Sequence, residues 1–137
     1  MLLTLEKVLF LKKVDIFADI DDDALAGLAG EMQERDYRAG ERIMAEGDMG
    51  REVFIIVSGS VRVSRGDQVI AVLGSQSVFG ELAALDPQPR SATVTAIEDV
   101  RVLVLEHVVL FEQLLSQGEL ARGIIRFLVR RIRNPKQ

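Results

Sequence analysis

Between Met32 and Glu106 the chain is cut into short apolar or alternating runs, a pattern that few folds accept. The runs are Arg42–Ala45, Val53–Val57, Val61–Ser64, Val69–Leu73, Ala92–Ala96 and Val100–Leu105. Between them fall Ala39-Gly40, Glu46-Gly47-Asp48, Ser58-Gly59 and Arg65-Gly66-Asp67, residues that turn a chain rather than extend it. Runs this short suit strands better than helices, and alternation sends every second side chain to the same face. Many short strands at roughly ten-residue spacing predict a sandwich or barrel. Val61-Arg62-Val63-Ser64, followed by Gly66-Asp67 and Val69, reads as a hairpin with one buried face.

Helical periodicity flanks this region on both sides. Leu2, Leu5 and Leu9, with Val8 beside them, predict an amphipathic helix from Leu2 to Lys13. Asp21-Asp22-Asp23 precedes Ala24, Leu25 and Leu28; acids at that place cap free amides and complement the helix dipole. A second short helix is therefore expected from near Asp22 to Gly30. After Glu106, Val108, Leu110, Phe111, Leu114 and Leu115 make one apolar face. Gly118 interrupts, Ile124, Ile125, Phe127, Leu128 and Ile132 make another, and Pro135 limits the last helix. The expected organisation is one domain over 1–137, with helices in 1–30, a β-barrel in 31–106 and helices in 107–134.

Composition removes whole classes of chemistry. The chain has no cysteine, which excludes disulfides, thiolate zinc sites and a cysteine nucleophile. That suits a reducing compartment, and a cytoplasmic protein is expected. His107 is the one histidine, so a three-histidine metal site cannot form and a Ser-His-Asp triad would have to use it. Neither an enzyme nor a metal or organic cofactor is expected. A net charge of −4 argues against nucleic-acid binding. The tail is different: no acid follows Glu119, whereas Arg122, Arg126, Arg130, Arg131, Arg133 and Lys136 do. The stretch from Val100 to Leu115 is interrupted by Arg101, Glu106, His107 and Glu112, well short of the ~20 apolar residues that span a bilayer. The opening MLLTLEKVLFLKKV lacks a basic start and a small-residue cleavage site, so no signal peptide is expected.

The chemistry is concentrated between Phe79 and Val94, which read FGELAALDPQPRSATV. A glycine and a carboxylate precede a short helix-compatible apolar run, a stiff Pro-Gln-Pro loop and an arginine that enters a strand. Free amides at a helix start near Gly80 attract an anion. A guanidinium fork holds two phosphate oxygens in one plane. A carboxylate only accepts hydrogen bonds, so Glu81 needs a donor such as a sugar hydroxyl.

These residues closely resemble the phosphate-binding cassette of the cyclic nucleotide-binding domain family, whose members include regulatory subunits of cAMP-dependent protein kinase, the catabolite activator protein and nucleotide-gated channels. Gly80-Glu81 to Arg90-Ser91-Ala92-Thr93 matches the kinase-type spacing without a gap. Gly47 and Val53-Phe54-Ile55-Ile56-Val57-Ser58-Gly59-Ser60-Val61-Arg62-Val63 resemble the family's glycine-flanked strands, and the likeness runs from about Val14 to Arg133. It implies a mainly β fold with flanking helices: a double-stranded β-helix, or jelly-roll, barrel with N-terminal helices and a C-terminal lid. It further implies that Glu81 accepts the ribose 2′-hydroxyl and that Arg90 pairs with the cyclic phosphate. The Leu82 and Ala83 amides would face that phosphate and Ser91 would add a hydroxyl or amide. Val63, Ile70, Phe79 and Leu82 would wall the pocket, and the last helix would cover the base. Where the family has a Gly-Asp turn before the cassette, this chain has Gln76-Ser77, and Gly74 is the expected substitute. Serine at 91 leans toward cAMP, threonine there toward cGMP.

Plainer readings stand beside these. Glu81 and Arg90 also suit a structural ion pair at a barrel edge, and Phe79 and Leu82 ordinary core. His107 suits a strand-to-helix boundary. The Asp21–Asp23 run suits a solvated helix start, since calcium would need further oxygen ligands and a glycine turn. Arg122, Arg126 and Arg130 form a stripe that is either solvated or faces a partner domain, an acidic lipid surface or the ligand. The expected function is a regulatory sensor that binds a cyclic nucleotide, cAMP before cGMP, and signals through its C-terminal helices to an effector. The alternative is a ligand-free interaction module with the same barrel; a metal-dependent cupin-like enzyme is disfavoured by the single histidine. No helix-turn-helix follows, so direct DNA binding is not expected; the C-terminal helices also suit a homodimer, and the chain suits a regulatory domain of a longer protein.

Overall fold

The computed structural model describes residues 1–80 and 86–135, which fall into two compact units: Met32–Val108, and Met1–Glu31 together with the chain from Val109 onward.

Among the described residues the β unit holds ten strands: β1 Gln33–Tyr37, β2 Arg42–Met44, β3 Met49–Gly50, β4 Glu52–Ser58, β5 Val61–Arg65, β6 Gln68–Leu73, β7 Val78–Phe79, β8 Gln88–Pro89, β9 Thr93–Ala96 and β10 Val100–Glu106. They form two four-stranded antiparallel sheets, ordered β1-β10-β4-β7 and β2-β9-β5-β6, plus the small ribbon β3-β8. This is a jelly roll. Its core takes Phe54, Ile56, Phe79, Val102 and Val104 from the first sheet and Val61, Val94 and Ala96 from the second. The six runs read from the sequence correspond to β2, β4, β5, β6, β9 and β10.

The strand that alternation missed at the start of this unit is β1, whose sequence QERDY offers one apolar ring. It lies at the edge of its sheet, held to β10 by backbone pairing in the register Asp36 opposite Arg101. Arg101 Nε donates to Asp36 at 2.9 Å, and Arg35 bridges to Glu52 on β4 at 3.1 Å. The Arg101 guanidinium holds the Asp36 carboxyl below its ordinary value. On β1 itself charged and polar side chains stand where alternation looks for apolar ones; its partners on β10 are apolar except Arg101, which faces Asp36 as one pair of opposite charges.

Gly74 opens the turn before β7, its carbonyl accepting from the Ser77 amide at 3.1 Å, but the left-handed conformation in it belongs to Gln76, at φ 73°. The turn is fixed from outside, with the Gln76 amide donating to Ile56 O at 2.8 Å and the Ile56 amide to Ser77 O at 2.9 Å. Both bonds are to β4, so sheet pairing imposes the conformation that a glycine would have adopted freely.

In the helical unit, α1 (Thr4–Leu11) is shorter than expected and turned: Val8 and Leu11 are buried while Leu5 and Leu9 are exposed. A turn of 3₁₀ helix (Asp15–Phe17) leads to α2 (Asp22–Gly30), whose Asp21 cap accepts from the Asp23 amide at 3.1 Å. Lys12 ties the two together, donating to Ile20 O at 2.8 Å and pairing with Asp22 at 3.2 Å. α3 (His107–Ser116) follows β10 with no intervening residue, placing His107 at the strand-to-helix boundary; the break between the last two helices falls at Gln117, and Gly118 opens α4 (Gly118–Arg133). Gly123 on α4 sits against Ile20: a Cβ there would lie 2.5 Å from Ile20 Cγ1. The apolar faces read from the sequence are only partly buried. Leu110, Leu120 and Ile124 are enclosed, whereas Val108, Phe111, Leu115, Ile125 and Ile132 are exposed. Among the described residues no helix is long and apolar enough to cross a membrane.

The left-handed Gln76 yields a stability test. A non-glycine residue in that region costs about 1–2 kcal/mol, while glycine adds back unfolded-state entropy of about 0.5–1 kcal/mol. Gln76→Gly should therefore leave the unfolding free energy from urea titration unchanged or raise it slightly, and the β-branched Gln76→Val should lower it by at least about 1 kcal/mol.

Candidate functional site

Arg90 is the one buried charged side chain in the described core, 8% exposed. It follows the ribbon strand β8, and its backbone is clamped from the facing loop. The Arg90 amide donates to Asp48 O at 2.7 Å, and the Gly47 amide donates to Arg90 O at 2.8 Å. Gly47 is at φ 90°, a conformation that lets the loop return against Arg90.

Two further glycines make room for the guanidinium. A Cβ on Gly50 would lie 2.5 Å from Arg90 Nε, and one on Gly80 would lie 2.7 Å from Nη1 and 2.9 Å from Glu52 O. Gly80 is also at φ 78°, so both space and backbone exclude a side chain there. The guanidinium carbon stands 5.8 Å from the Phe54 ring centroid, and Phe54 stacks on Phe79 at 4.9 Å. Nη2 donates to Glu52 O at 2.9 Å. Nη1, buried, has no hydrogen-bond partner among the described residues. Burial pushes the Arg90 pKa down, and the nearby Glu52 charge opposes that in part. A desolvated cation with an unused N–H is what an anion-binding site requires. A cavity of about 380 Å³ reaches Arg90 and is lined also by Met49, Arg51, Glu52, Glu106, His107 and Val108.

The other expected site residues are distributed as follows. Gly80 is brought to Arg90. Phe79 is buried beneath it, one ring removed, in the jelly-roll core. Ser91 is exposed, and its carbonyl accepts from Arg65 Nε at 3.0 Å. Val63 is half-buried against the core, opposite Val94 on β9 and Ala71 on β6. Ile70, 44% exposed, falls where the β5–β6 register slips. Glu81, Leu82 and Ala83 lie outside the described residues. Of this set, Val63, Ile70, Phe79, Gly80 and Ser91 do not line the cavity at Arg90.

The structure adds Gly50, Phe54 and the Glu52 carbonyl to the surroundings of Arg90. Gly50 was visible as the second glycine of Gly47-Asp48-Met49-Gly50. A backbone carbonyl leaves no mark in a sequence.

A family model described as cyclic nucleotide-binding domain matches residues 34–117. The chain belongs to the cyclic nucleotide-binding domain family. This cyclic nucleotide-binding domain is 30% identical over 128 residues to a CRP-like cAMP-activated global transcriptional regulator of Mycobacterium tuberculosis, a match covering 90% of the chain and 57% of the regulator. It is 36% identical over 97 residues to a cAMP-dependent protein kinase regulatory subunit of Debaryomyces hansenii, covering 70% of the chain and 22% of that subunit. It thus spans little more than half of the first relative and about a fifth of the second. Among solved structures, the N-terminal domain of a transcriptional regulator from Streptomyces coelicolor A3(2) superposes with a TM-score of 0.86 at 32% identity, covering 93% of this chain and 94% of that one. The Thermus thermophilus catabolite activator protein gives 0.76 at 28% identity, covering 88% and 59%.

The surroundings of Arg90 separate a structural arginine from a ligand-binding one. In Arg90→Met the domain loses the bond to Glu52 O but also sheds a buried charge with an unused N–H; each effect is about 1–3 kcal/mol and they oppose each other. Unfolding free energy by urea titration should stay within about 1 kcal/mol of the parent, since apolar replacements of buried charges are often tolerated. A drop of about 3 kcal/mol or more would mark Arg90 as a structural pillar instead.

Proposed function

We propose that this domain is a sensor that binds a cyclic nucleotide, cAMP in preference to cGMP, and passes its occupancy through α3 and α4 to an effector. The buried Arg90 guanidinium with its unused Nη1 beside Gly80 carries the reading. A cyclic phosphate supplies acceptors for that N–H and a charge to offset the guanidinium. Gly80 leads directly into Glu81, which accepts the ribose 2′-hydroxyl; the Leu82 and Ala83 amides and Ser91 complete the phosphate contacts. Val63, Ile70 and Leu82 give apolar contact to sugar and base, and Phe79 supports them from the core. The relatives named for cAMP activation and cAMP dependence support that ligand, as does serine at 91.

A sensor needs an element whose equilibrium the ligand biases. The exposed apolar side chains Phe111, Leu115, Ile125 and Ile132 on α3 and α4 suit surfaces that change partners, including a second copy of this chain. The relatives are regulators or regulatory subunits, and we assign the chain a non-enzymatic role of that kind, without DNA contact of its own. A cytoplasmic setting fits a chain without cysteine. The ligand-free alternative draws on the Arg90–Glu52 bond and the Phe54 contact, which give the arginine a structural use.

Calorimetric titration with cAMP, cGMP and a dinucleotide side by side tests the assignment. Arg90→Ala should cost about 2–5 kcal/mol of binding, the usual loss when one member of a buried charge pair goes. At 1.4 kcal/mol per decade that is about 30-fold to several thousand-fold. Glu81→Ala should cost less and reduce discrimination against 2′-deoxy-cAMP. No heat from any cyclic nucleotide at millimolar concentration would favour the ligand-free module.

A further inference from the structure

The loop that clamps Arg90 is itself held by the β5–β6 hairpin through side chains that the nucleotide assignment does not use. Arg65, the last residue of β5, donates from Nε to Ser91 O at 3.0 Å. The next residue, Gly66, donates its amide to Glu46 Oε1 at 3.0 Å, and the Glu46 amide donates to Thr93 Oγ1 at 3.0 Å. Glu46 immediately precedes Gly47-Asp48, the pair that bonds both backbone groups of Arg90. Three backbone groups of two consecutive residues are thereby fixed: the Arg90 amide, the Arg90 carbonyl and the Ser91 carbonyl. The first two are held by the loop and the third by Arg65. The hairpin holds the loop as well, because Gly66 sits at φ 59° with its amide aimed at Glu46.

We propose that Arg65 and Glu46 are positioning residues for the phosphate-binding arginine: they clip the β5–β6 hairpin to the residue after Arg90 and to the loop that holds the Arg90 backbone, and so set how well its guanidinium is pre-aimed. The inference rests on the cyclic-nucleotide reading of Arg90. Pre-aiming matters because a flexible binding group loses affinity to the entropy of ordering it. Arg65 acts on the ligand only through the Ser91 carbonyl, and Glu46 only through Gly66, Thr93 and the loop. Both bonds lie at the surface, so their loss exposes the groups to water rather than leaving them buried and unpaired, and the fold itself depends little on them.

The test uses the full chain. Arg65→Ala should weaken cAMP binding by about 2–12-fold in calorimetry, the range to which the net contribution of one ordinary hydrogen bond converts. Its melting temperature without ligand should stay near the parent's. Arg65→Lys, which can still reach the carbonyl with one donor, should recover most of the affinity, and Glu46→Ala should weaken binding in the same direction. In the ligand-free protein, hydrogen exchange at the Gly47 and Arg90 amides should quicken in Arg65→Ala while β4 and β10 amides keep their protection. Unchanged cAMP affinity in Arg65→Ala, with the parent binding normally, overturns the positioning role alone. So does a loss matched by a fall in melting temperature that lysine fails to restore. A parent chain that binds no cyclic nucleotide overturns this inference together with the assignment beneath it.

Discussion

A guanidinium withdrawn from water between two glycines is the constraint around which the β unit is arranged. Arg90 is held in that position by one carbonyl, one aromatic face and a loop that grips its backbone. Each of these contacts calls for a particular neighbour. Gly50 and Gly80 must lack a Cβ, Phe54 must present its ring, and β4 must bring the Glu52 carbonyl within reach. The jelly roll supplies all of them because β3, β4, β7 and β8 converge at one end, β3 pairing with β8 and β4 with β7. A charge in such a setting is costly unless something meets it. The domain meets one of its two terminal nitrogens from its own backbone and leaves the other beside Gly80.

The stacked pair Phe54–Phe79 links this arrangement to the core. Phe54 faces Phe79 directly across the β4–β7 pairing, and both rings belong to the apolar cluster between the sheets. The cation therefore rests on a platform that the fold would need in any case. Core residues and site residues are not separable sets here; Phe79 belongs to the first and supports the second.

Much of this was legible in the sequence, and the exceptions have definite causes. Six strands announced themselves through apolar alternation, and Asp21 to Asp23 marked the start of α2. The strand β1 stays hidden because its own residues, QERDY, are nearly all polar or charged; β3, β7 and β8 stay hidden because two residues carry no period. Gly74 marks the turn before β7 and opens it, but hydrogen bonds to β4 place the left-handed conformation on Gln76, where no glycine announces it. Helical periodicity gave α1, α3 and α4 but overstated their buried faces, because a repeat of apolar residues shows which side is greasy and not how much of it is covered. Arg90 was legible from its spacing to Gly80. Its Glu52 carbonyl partner was not, nor was Arg65, since neither a main-chain acceptor nor a surface donor leaves a pattern.

The polar strand β1 has a consequence for how this molecule behaves in a crowd. It is the outermost strand of its sheet, so one row of its main-chain amides and carbonyls faces outward. A naked apolar strand in that place would serve as a template for other chains, the first step toward fibrils and misassembly. Here a newcomer would have to lie along Glu34, Arg35 and Asp36, whose charges are already matched within the sheet or hydrated. The charges that hide this strand from a hydropathy pattern thus also act as its gatekeepers against aggregation.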